Sequence, residues 1–178
     1  MAGAGHATAT ARAVPQGAWT VIPECSRVGF AIRHLAVATV RGRFREFAGT
    51  LNAADPAAPW GEGRVVVASI DTGEPVRDER LRGPDYFDAA RHPEIRFATS
   101  AVERAGAELQ IAGDLEIKGT VRRVILSGRA EPAGRGEMRL ELRGEVRRSE
   151  FGVESRELLE AGVADRVRLE LDLVLALR

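Results

Sequence analysis

The amino-acid sequence predicts an all-β protein, an antiparallel eight-stranded barrel with short helical lid segments. Most of the chain alternates between apolar and polar residues, which is typical of strands with one buried side. Almost no helical pattern separates these strands, and this favours an antiparallel meander over parallel β-α-β units. Because every strand in so long a meander has an apolar side to bury, the pattern favours closure of the sheet into a barrel.

Nine segments carry the strand pattern, and eight or nine strands are expected from them. In chain order the segments are Gly17–Pro23, Ser26–Leu35, Ala38–Leu51, Gly63–Asp71, Glu94–Gly106, Glu108–Lys118, Val121–Ala130, Met138–Arg148 and Arg166–Arg178. The alternation is clearest in Glu108–Lys118, and a turn at Gly119-Thr120 predicts that this strand forms a hairpin with the next.

The third segment changes phase after Arg45, so that its apolar side continues on residues of the opposite parity. Such a change, with glycines nearby, predicts a β-bulge at which the strand bends around a corner of the barrel. The stretches Asn52–Gly63 and Glu131–Glu137 are predicted loops. Ser155–Asp165 is predicted to form a short helix before the last strand.

One segment, Ser69–Pro93, interrupts the alternation and is predicted to form the lid. Pro75 opens a first helical turn that Gly83 ends, and Asp85 caps a second turn that stops at Pro93. Arginine and aspartate residues follow one another closely here, and pairs between them would pin the lid. Between these charges the segment has a small apolar side, made of Leu81, Tyr86 and Phe87.

Length and composition indicate a single domain over residues 17–178, because a chain of 178 residues can bury its own core. Residues 1–16 are small and polar, and they are predicted to be a disordered tail without an apolar signal segment. The formal net charge of +0 gives no support to a nucleic-acid partner. No stretch approaches the ~20 apolar residues that span a bilayer. Cys25 is the only cysteine, which excludes an internal disulfide, and a cytoplasmic location is expected.

The barrel interior has two interpretations at this point. Gly42, Gly113 and Gly144 are expected to face inward, and only 5% of the residues are aromatic. Either the glycines leave space for a slim ligand, or they serve close packing and strand bends.

If the interior is open, apolar residues would line it and the lid would meet the polar end of a ligand. The predicted apolar lining consists of Phe30, Ile32, Phe44, Val66, Phe87, Phe97, Ile111, Leu115, Leu140 and Leu171. The predicted polar contacts are His34, Arg77, Asp78 and Arg80. His34 lies on the apolar side of its strand, where it would bind a ligand, act as an acid or base, or be held by a lid carboxylate.

The sequence contains no pattern for a metal, a cofactor or a nucleophile. The histidines His6, His34 and His92 are widely spaced, and neither an HExxH nor a CxxC pattern occurs. There is no glycine-rich phosphate loop and no nucleophile elbow around a serine. Neither a metal site, a cofactor nor a catalytic residue is therefore predicted.

Several short motifs, in this order and spacing, resemble those of the YceI-like family. They are Trp19, CSRVGFAIRH (25–34), GRFREFAG (42–49), SIDTG (69–73), RDERL (77–81), YFD (86–88), HPEIRF (92–97), GDLEIKGT (113–120), SEFGV (149–153) and GVADRVRLELDL (162–173). The resemblance covers about Gly17–Arg178. It implies a lipocalin-like antiparallel barrel that holds a polyisoprenoid or similar amphiphile, that is frequently a homodimer, and that has no metal or redox cofactor.

Two lid positions depart from the family pattern. Arg80 stands where the family commonly has a histidine, and His92 stands where an aromatic residue often precedes the proline. Both changes would alter the preference for a ligand head group. Many family members are exported, but a periplasmic role does not carry over to this sequence.

Three functions remain open from the sequence. The leading one is a carrier or storage protein that binds a polyisoprenoid, a quinone or another long-chain lipid in the barrel. The second is an enzyme for an apolar substrate, with His34 and Asp78 as the acid–base pair. The third is a structural, stress-associated barrel whose interior is only a packed core.

Overall fold

A computed structural model of the chain describes residues 14–55, 57–105, 108–153 and 162–178. Within these residues the strands and the single α-helix are β1 (Ala18–Val21), β2 (Arg27–His34), β3 (Ala38–Phe44), β4 (Phe47–Asn52), β5 (Trp60–Val66), β6 (Ile70–Asp71), α1 (Pro75–Arg82), β7 (Glu94–Ala105), β8 (Glu108–Ile117), β9 (Thr120–Gly134), β10 (Glu137–Arg147) and β11 (Val163–Leu177). Short 3₁₀ turns lie at Pro23–Cys25, Val67–Ser69 and Arg148–Phe151.

The sheet closes on itself as an antiparallel barrel. Its ring order is β1-β4-β5-β7-β8-β9-β10-β11, and β11 pairs back with β1. Strands β2, β3 and β6 extend the sheet from β11 in the order β11-β2-β3-β6. Each lies next in the chain to one ring strand, β2 to β1, β3 to β4 and β6 to β5, and is separated from it by a short break. The predicted eight-stranded antiparallel barrel is therefore confirmed.

The break between β3 and β4 falls where the sequence changes phase. The backbone N–H of Arg45 donates to the carbonyl of Ser69, and the N–H of Glu46 donates to the Ser69 hydroxyl. Because these donors leave the strand ladder, the chain makes a two-residue break here rather than the predicted β-bulge. The 3₁₀ turn at Val67–Ser69 interrupts the neighbouring strand at the same level.

The lid contains one of the two predicted helical turns. Helix α1 begins at Pro75 and ends before Gly83, as the proline and glycine indicate. The second predicted turn is not helical. The chain there makes a series of hydrogen-bonded turns, in which the backbone carbonyl of Asp88 accepts hydrogen bonds from the N–H groups of Arg91 and His92. Asp88 has a φ of 50°, in the left-handed region, so a right-handed helix cannot pass through it.

Several predicted boundaries shift. Strand β9 runs to Gly134 instead of ending in a loop, because a tight turn at Arg135-Gly136 lets it pair with β10 up to that point. Strand β5 already begins at Trp60, inside the predicted loop. The β8–β9 turn residues are Lys118-Gly119, both with positive φ, instead of Gly119-Thr120.

The predicted N-terminal tail and the predicted helix before the last strand lie partly outside the described residues. Most of the predicted helix at Ser155–Asp165 lies outside the described residues, and its last three residues belong to β11. Of the predicted tail, residues 1–13 lie outside the described residues. The indole N–H of Trp19 donates to the carbonyl of Pro15, and the Gln16 amide donates to the carbonyl of Ala54, so residues 15 and 16 contact the barrel.

Two buried apolar clusters fill parts of the interior. One lies where β1 closes the sheet and includes Trp19, Leu109, Met138 and Leu175. The other includes Leu115, Val124, Val146 and Phe151, and Phe87 of the lid packs against it.

Close packing is the correct interpretation of the inward glycines. A Cβ atom on Gly42 would lie 2.2 Å from the ring of Phe30, its cross-strand partner. A Cβ atom on Gly113 would lie 2.3 Å from the ring of Phe97 and 2.5 Å from the carbonyl oxygen of Ala98. At Gly144 the neighbouring side chain is Leu126, at 2.6 Å. The space that these glycines leave is therefore already occupied by neighbouring side chains.

This packing predicts that Gly113→Ala destabilises the protein. The added methyl group must displace both the Phe97 ring and backbone, and overpacking of this kind costs about 1–3 kcal/mol. Gly63→Ala is the matched control, because a Cβ atom there meets only one carbonyl oxygen, at 3.7 Å. Urea unfolding of both variants measures the difference. Equal free energies of unfolding for the two would contradict the tight contact at Gly113.

Candidate ligand-binding site

The barrel encloses a cavity of about 460 Å³ with almost entirely apolar walls. Cavities of ~300–1,000 Å³ are the usual size for small-molecule sites in proteins. The walls come mainly from the inward residues of the barrel strands, and the lid contributes Leu81, Tyr86 and Phe87. The exposed residues Glu62, Arg64 and Arg96 also border the cavity, on β5 and β7. The interior is therefore not a solid core.

Many inward side chains remain only half-buried because they border this cavity. Phe30, Ile32 and Leu171 are examples, although all three are apolar and face the interior. By contrast, Leu140 and Leu142 line the cavity but are buried, because they belong to the apolar cluster that includes Trp19. An apolar ligand would cover the surface that the half-buried residues leave open.

Most of the residues predicted for the site line the cavity. They are Phe30, Ile32, His34, Phe44, Arg77, Phe87, Phe97, Ile111, Leu115, Leu140 and Leu171. The aromatic rings among them form a chain, because the ring centroid of Phe44 is 5.8 Å from that of Phe30 and 6.3 Å from that of Phe87. Phe87 thereby connects the lid to the wall of the barrel.

Three predicted residues do not line the cavity. The lining contains Val65 instead of Val66. Side chains alternate along β5, and Val65 pairs with Ile95, which faces inward. Asp78 is buried in the lid instead of facing the cavity. Arg80 is exposed on α1. Leu81, the next residue of the helix, lines the cavity instead.

Thr72 and Asp78 hold Arg77 in the cavity wall. The Asp78 carboxylate accepts hydrogen bonds from the N–H and the hydroxyl of Thr72, so it caps the chain that enters α1. The guanidinium of Arg77 donates from Nε to the Thr72 hydroxyl at 2.7 Å and from Nη2 to the Thr72 carbonyl at 2.9 Å. Because both Thr72 and Arg77 line the cavity, the lid presents a fixed cation to a space whose walls are mostly apolar.

Arg148 is a cavity residue that the sequence interpretation did not predict. It is buried, and its guanidinium donates to the carbonyls of Ala164, Val163 and Val153, which ties the 3₁₀ turn at Arg148–Phe151 to the start of β11. A signal was present, because Arg148 continues the inward series of β10 that includes Val146.

Asp165 anchors the same 3₁₀ turn. Its carboxylate accepts hydrogen bonds from the N–H of Ser149 at 2.9 Å and from the Ser149 hydroxyl at 2.8 Å. Burial alone would raise the pKa of Asp165, but these hydrogen bonds and the nearby Arg148 charge hold the pKa below its ordinary value. Lys118 adds a further link, since its ammonium group donates to the carbonyls of Pro84 in the lid and Gly152.

Asp71 joins the lid to the barrel wall. Its carboxylate binds the guanidinium of Arg43 at 3.0 Å and that of Arg45 at 2.8 Å, and it accepts from the N–H of Gly73 at 3.1 Å. The hydrogen bond from Arg43, followed by those from Gly73 and Arg45, lowers the pKa of Asp71 to about 2. One charged group thus connects β3, the break after it and the first residues of the lid.

Within the described ranges, no group of three or more histidine, cysteine, aspartate or glutamate residues is placed to hold a metal ion. None of the helices in the described part of the chain has the length and apolar character needed to cross a membrane.

Comparison with known proteins places this barrel in a family. The family model of the YceI-like domain matches residues 19–175. The chain belongs to the YceI-like family. It is 29% identical to the protein YceI of Escherichia coli O157:H7 over 156 residues, which are 84% of this chain and 78% of that protein. It is also 35% identical to a protein of Photorhabdus laumondii over 111 residues, and that match spans 57% of the Photorhabdus protein.

Two solved structures share the fold of this chain. BcnA of Burkholderia cenocepacia is 26% identical, with a TM-score of 0.80 over 86% of this chain and 98% of BcnA. A polyisoprenoid-binding domain from Saccharophagus degradans, 13% identical, has a TM-score of 0.75 over 92% of this chain and all of that domain. The resemblance to the YceI-like family that the motifs indicated is therefore confirmed.

The pairing of Asp71 predicts how stability depends on pH. A carboxyl whose pKa is lower in the folded than in the unfolded chain stabilises the fold above its unfolded pKa, near 3.8 for this group. That contribution is lost as the pH falls from about 3.8 through about 2. Asp71→Asn should therefore lower the melting temperature at pH 7, and this difference from wild type should shrink as the pH falls and vanish below about pH 2. Thermal unfolding followed by circular dichroism across this range measures it. A difference between the two proteins that stays constant with pH would exclude a role for the Asp71 charge.

Proposed function

We propose that this protein binds a long apolar ligand, a polyisoprenoid, a quinone or a similar lipid, in the barrel cavity and acts as its carrier or store. The observation that carries this proposal is the apolar cavity of about 460 Å³ with half-buried walls. Membership of the YceI-like family supports it. So does the fold shared with the Saccharophagus degradans domain, which is described as polyisoprenoid-binding.

The energetics of such a site come mainly from burial of the chain. Each buried CH₂ group contributes roughly 0.8 kcal/mol, so a tail of a few prenyl units binds without any catalytic group. Part of this gain is offset by the ordering of the ligand on binding. The walls are already assembled around the cavity, which limits the cost of rearranging the protein.

The polar end of the ligand belongs at the lid. His34, Thr72 and Arg77 line the cavity there, and hydroxyl, imidazole and guanidinium groups can donate hydrogen bonds to a head-group oxygen. Asp78 and Arg80, which the sequence pattern also placed at this end, lie outside the cavity lining. Asp78 instead keeps Thr72 and Arg77 in position.

The two other functions draw less support from the geometry. An acid–base pair of His34 and Asp78 requires both groups in one pocket, but only His34 lines the cavity. The purely structural barrel requires a filled interior, which the cavity contradicts. A cytoplasmic location and a homodimer follow only from the sequence interpretation and stay predictions, to be checked by fractionation of cells and by sedimentation of the purified protein.

Lipid content tests the proposed function directly. Native mass spectrometry and solvent extraction of the purified protein should identify one long-chain lipid per barrel. Leu171→Trp should strongly reduce that occupancy, because the larger side chain fills part of the cavity that Leu171 lines. Ile125→Trp on the exposed outer side of β9 is the control and should keep the lipid. A wild-type protein that carries no lipid, and takes up none from a prenyl quinone solution, would refute the proposed function.

The role of Arg77 at the polar end is tested separately. Arg77→Gln should weaken binding of a prenyl quinone about tenfold, equivalent to about 1.4 kcal/mol, through loss of a charge-assisted hydrogen bond. Arg80→Gln removes the same charge from the same helix, outside the cavity lining, and should leave the affinity within about twofold. Titration by tryptophan fluorescence measures both affinities. Equal losses for the two variants would remove Arg77 from the site.

A further inference from the structure

The hairpin between β2 and β3 ends in four exposed, uncharged residues, Leu35–Ala38, which we name the apolar tip. Leu35 is 60% exposed and Val37 is 88% exposed. Turns on protein surfaces usually carry polar residues or glycine. The side chain of Leu35 packs in part against Gly162, but Val37 adds almost no apolar burial to the fold.

The turn at the apolar tip is held in an unfavourable conformation. Leu35 and Ala36 have φ values of 50° and 57°, in the left-handed region that glycine and asparagine favour. The guanidinium of Arg33 donates to the carbonyl of Ala36 at 2.9 Å, and the N–H of Leu35 donates to the carbonyl of Gly162 at 2.9 Å. Strain of this kind, fixed by specific contacts, is typical of functional segments.

The apolar tip borders the cavity. His34, directly before it, and Val40, shortly after it, both line the cavity, and His34 pairs with the lining residue Val163. A second exposed aliphatic residue, Val76, is 71% exposed on α1 and is the chain neighbour of the lining residue Arg77. Two exposed apolar groups therefore lie beside the lid end of the same apolar space.

We propose that the apolar tip inserts into the surface of a phospholipid bilayer, so that a lipid passes between the bilayer and the cavity without full exposure to water. The proposal rests on the proposed function, because it supplies the route by which a long-chain ligand reaches the site. A chain that left the bilayer through water would expose all its CH₂ groups at once. Contact between tip and bilayer offers a continuous apolar path.

Charge and size favour a bilayer over other occupants. Arg33 lies beside the apolar tip and is exposed. Its guanidinium holds Ala36 through Nη2 and has further N–H groups for lipid phosphates, while Leu35 and Val37 lie deeper. Arg41, on the other strand of the hairpin, is paired with Glu170 and adds little. Four residues are also far too few for a stable dimer, whose interface buries about 1,200–2,000 Å².

Vesicle flotation tests the docking surface in the full chain. Vesicles of phosphatidylcholine with phosphatidylglycerol should bind the wild-type protein, and Leu35→Asn combined with Val37→Ser should reduce binding about tenfold. Asparagine tolerates the left-handed backbone at residue 35, so the turn is kept. The matched control combines Val121→Ser with Ile125→Ser, which removes two apolar residues of 50% and 57% exposure on β9 and should leave binding unchanged.

Transfer kinetics separate this proposal from the proposed function. With a fluorescent prenyl lipid, the rate of transfer from the wild-type protein should rise with vesicle concentration, and the tip variant should lose that dependence while its equilibrium lipid content stays normal. Unchanged flotation and transfer in the tip variant, with lipid still bound, would overturn the docking surface alone. If the tip variant lost a dimer that the wild-type protein forms, and still bound vesicles, the apolar tip would be an interface between two copies of the chain. That result would also overturn the proposed insertion into a bilayer. Tip-dependent flotation of a protein that holds no lipid would support the docking surface and overturn the carrier function.

Discussion

The pairing of the short strand β1 with β11 is the constraint on which the architecture depends. Trp19 lies opposite Leu177 and Val21 opposite Leu175, and β1 pairs with β4 on its other side. An open sheet with the same apolar alternation would bury its inner side against another layer about 10 Å away, with no enclosed space. Closure instead directs all inner sides toward one axis, and eight strands leave room there for side chains and one slim ligand.

The end of the barrel under the lid differs from the rest because three strands break there. The breaks after β1, β3 and β5 release the chain from its ladder, and Asp71, just beyond the third break, secures the segment that follows to Arg43 and Arg45. Helix α1 then places Arg77 in the wall of the cavity. Its own apolar contribution is small, since Asp78 is its buried residue. Polar contacts therefore hold helix α1, whereas Tyr86 and Phe87 pack the part of the lid after it against the barrel. A helix without a packed apolar side suits a segment that must admit a ligand.

The cavity and its surroundings form one functional unit if a lipid is the ligand. Apolar walls supply affinity through burial, and the donors at the lid limit the orientation of the head group. The apolar tip adds a means of approach to a membrane, next to the end at which the polar group would lie. A guanidinium in a mostly apolar wall is costly without partners, and the hydrogen bonds of Arg77 to Thr72 reduce that cost before any ligand binds.

The sequence by itself determined the strands, the antiparallel barrel, helix α1, the family and eleven of the residues that line the cavity, because period-two alternation and the proline and glycine signals are local. Tertiary structure decided the rest. The rings of Phe30 and Phe97 fill the space beside Gly42 and Gly113, and Asp88 turns the chain left-handed where a helix was expected. Likewise the inward choice of Val65 over Val66 and the burial of Arg148 depend on partners far away in the chain. Such contacts exist only once the sheet has closed. The alternation of β10 puts Arg148 on the inward side, but only the closed sheet supplies the carbonyls that it binds.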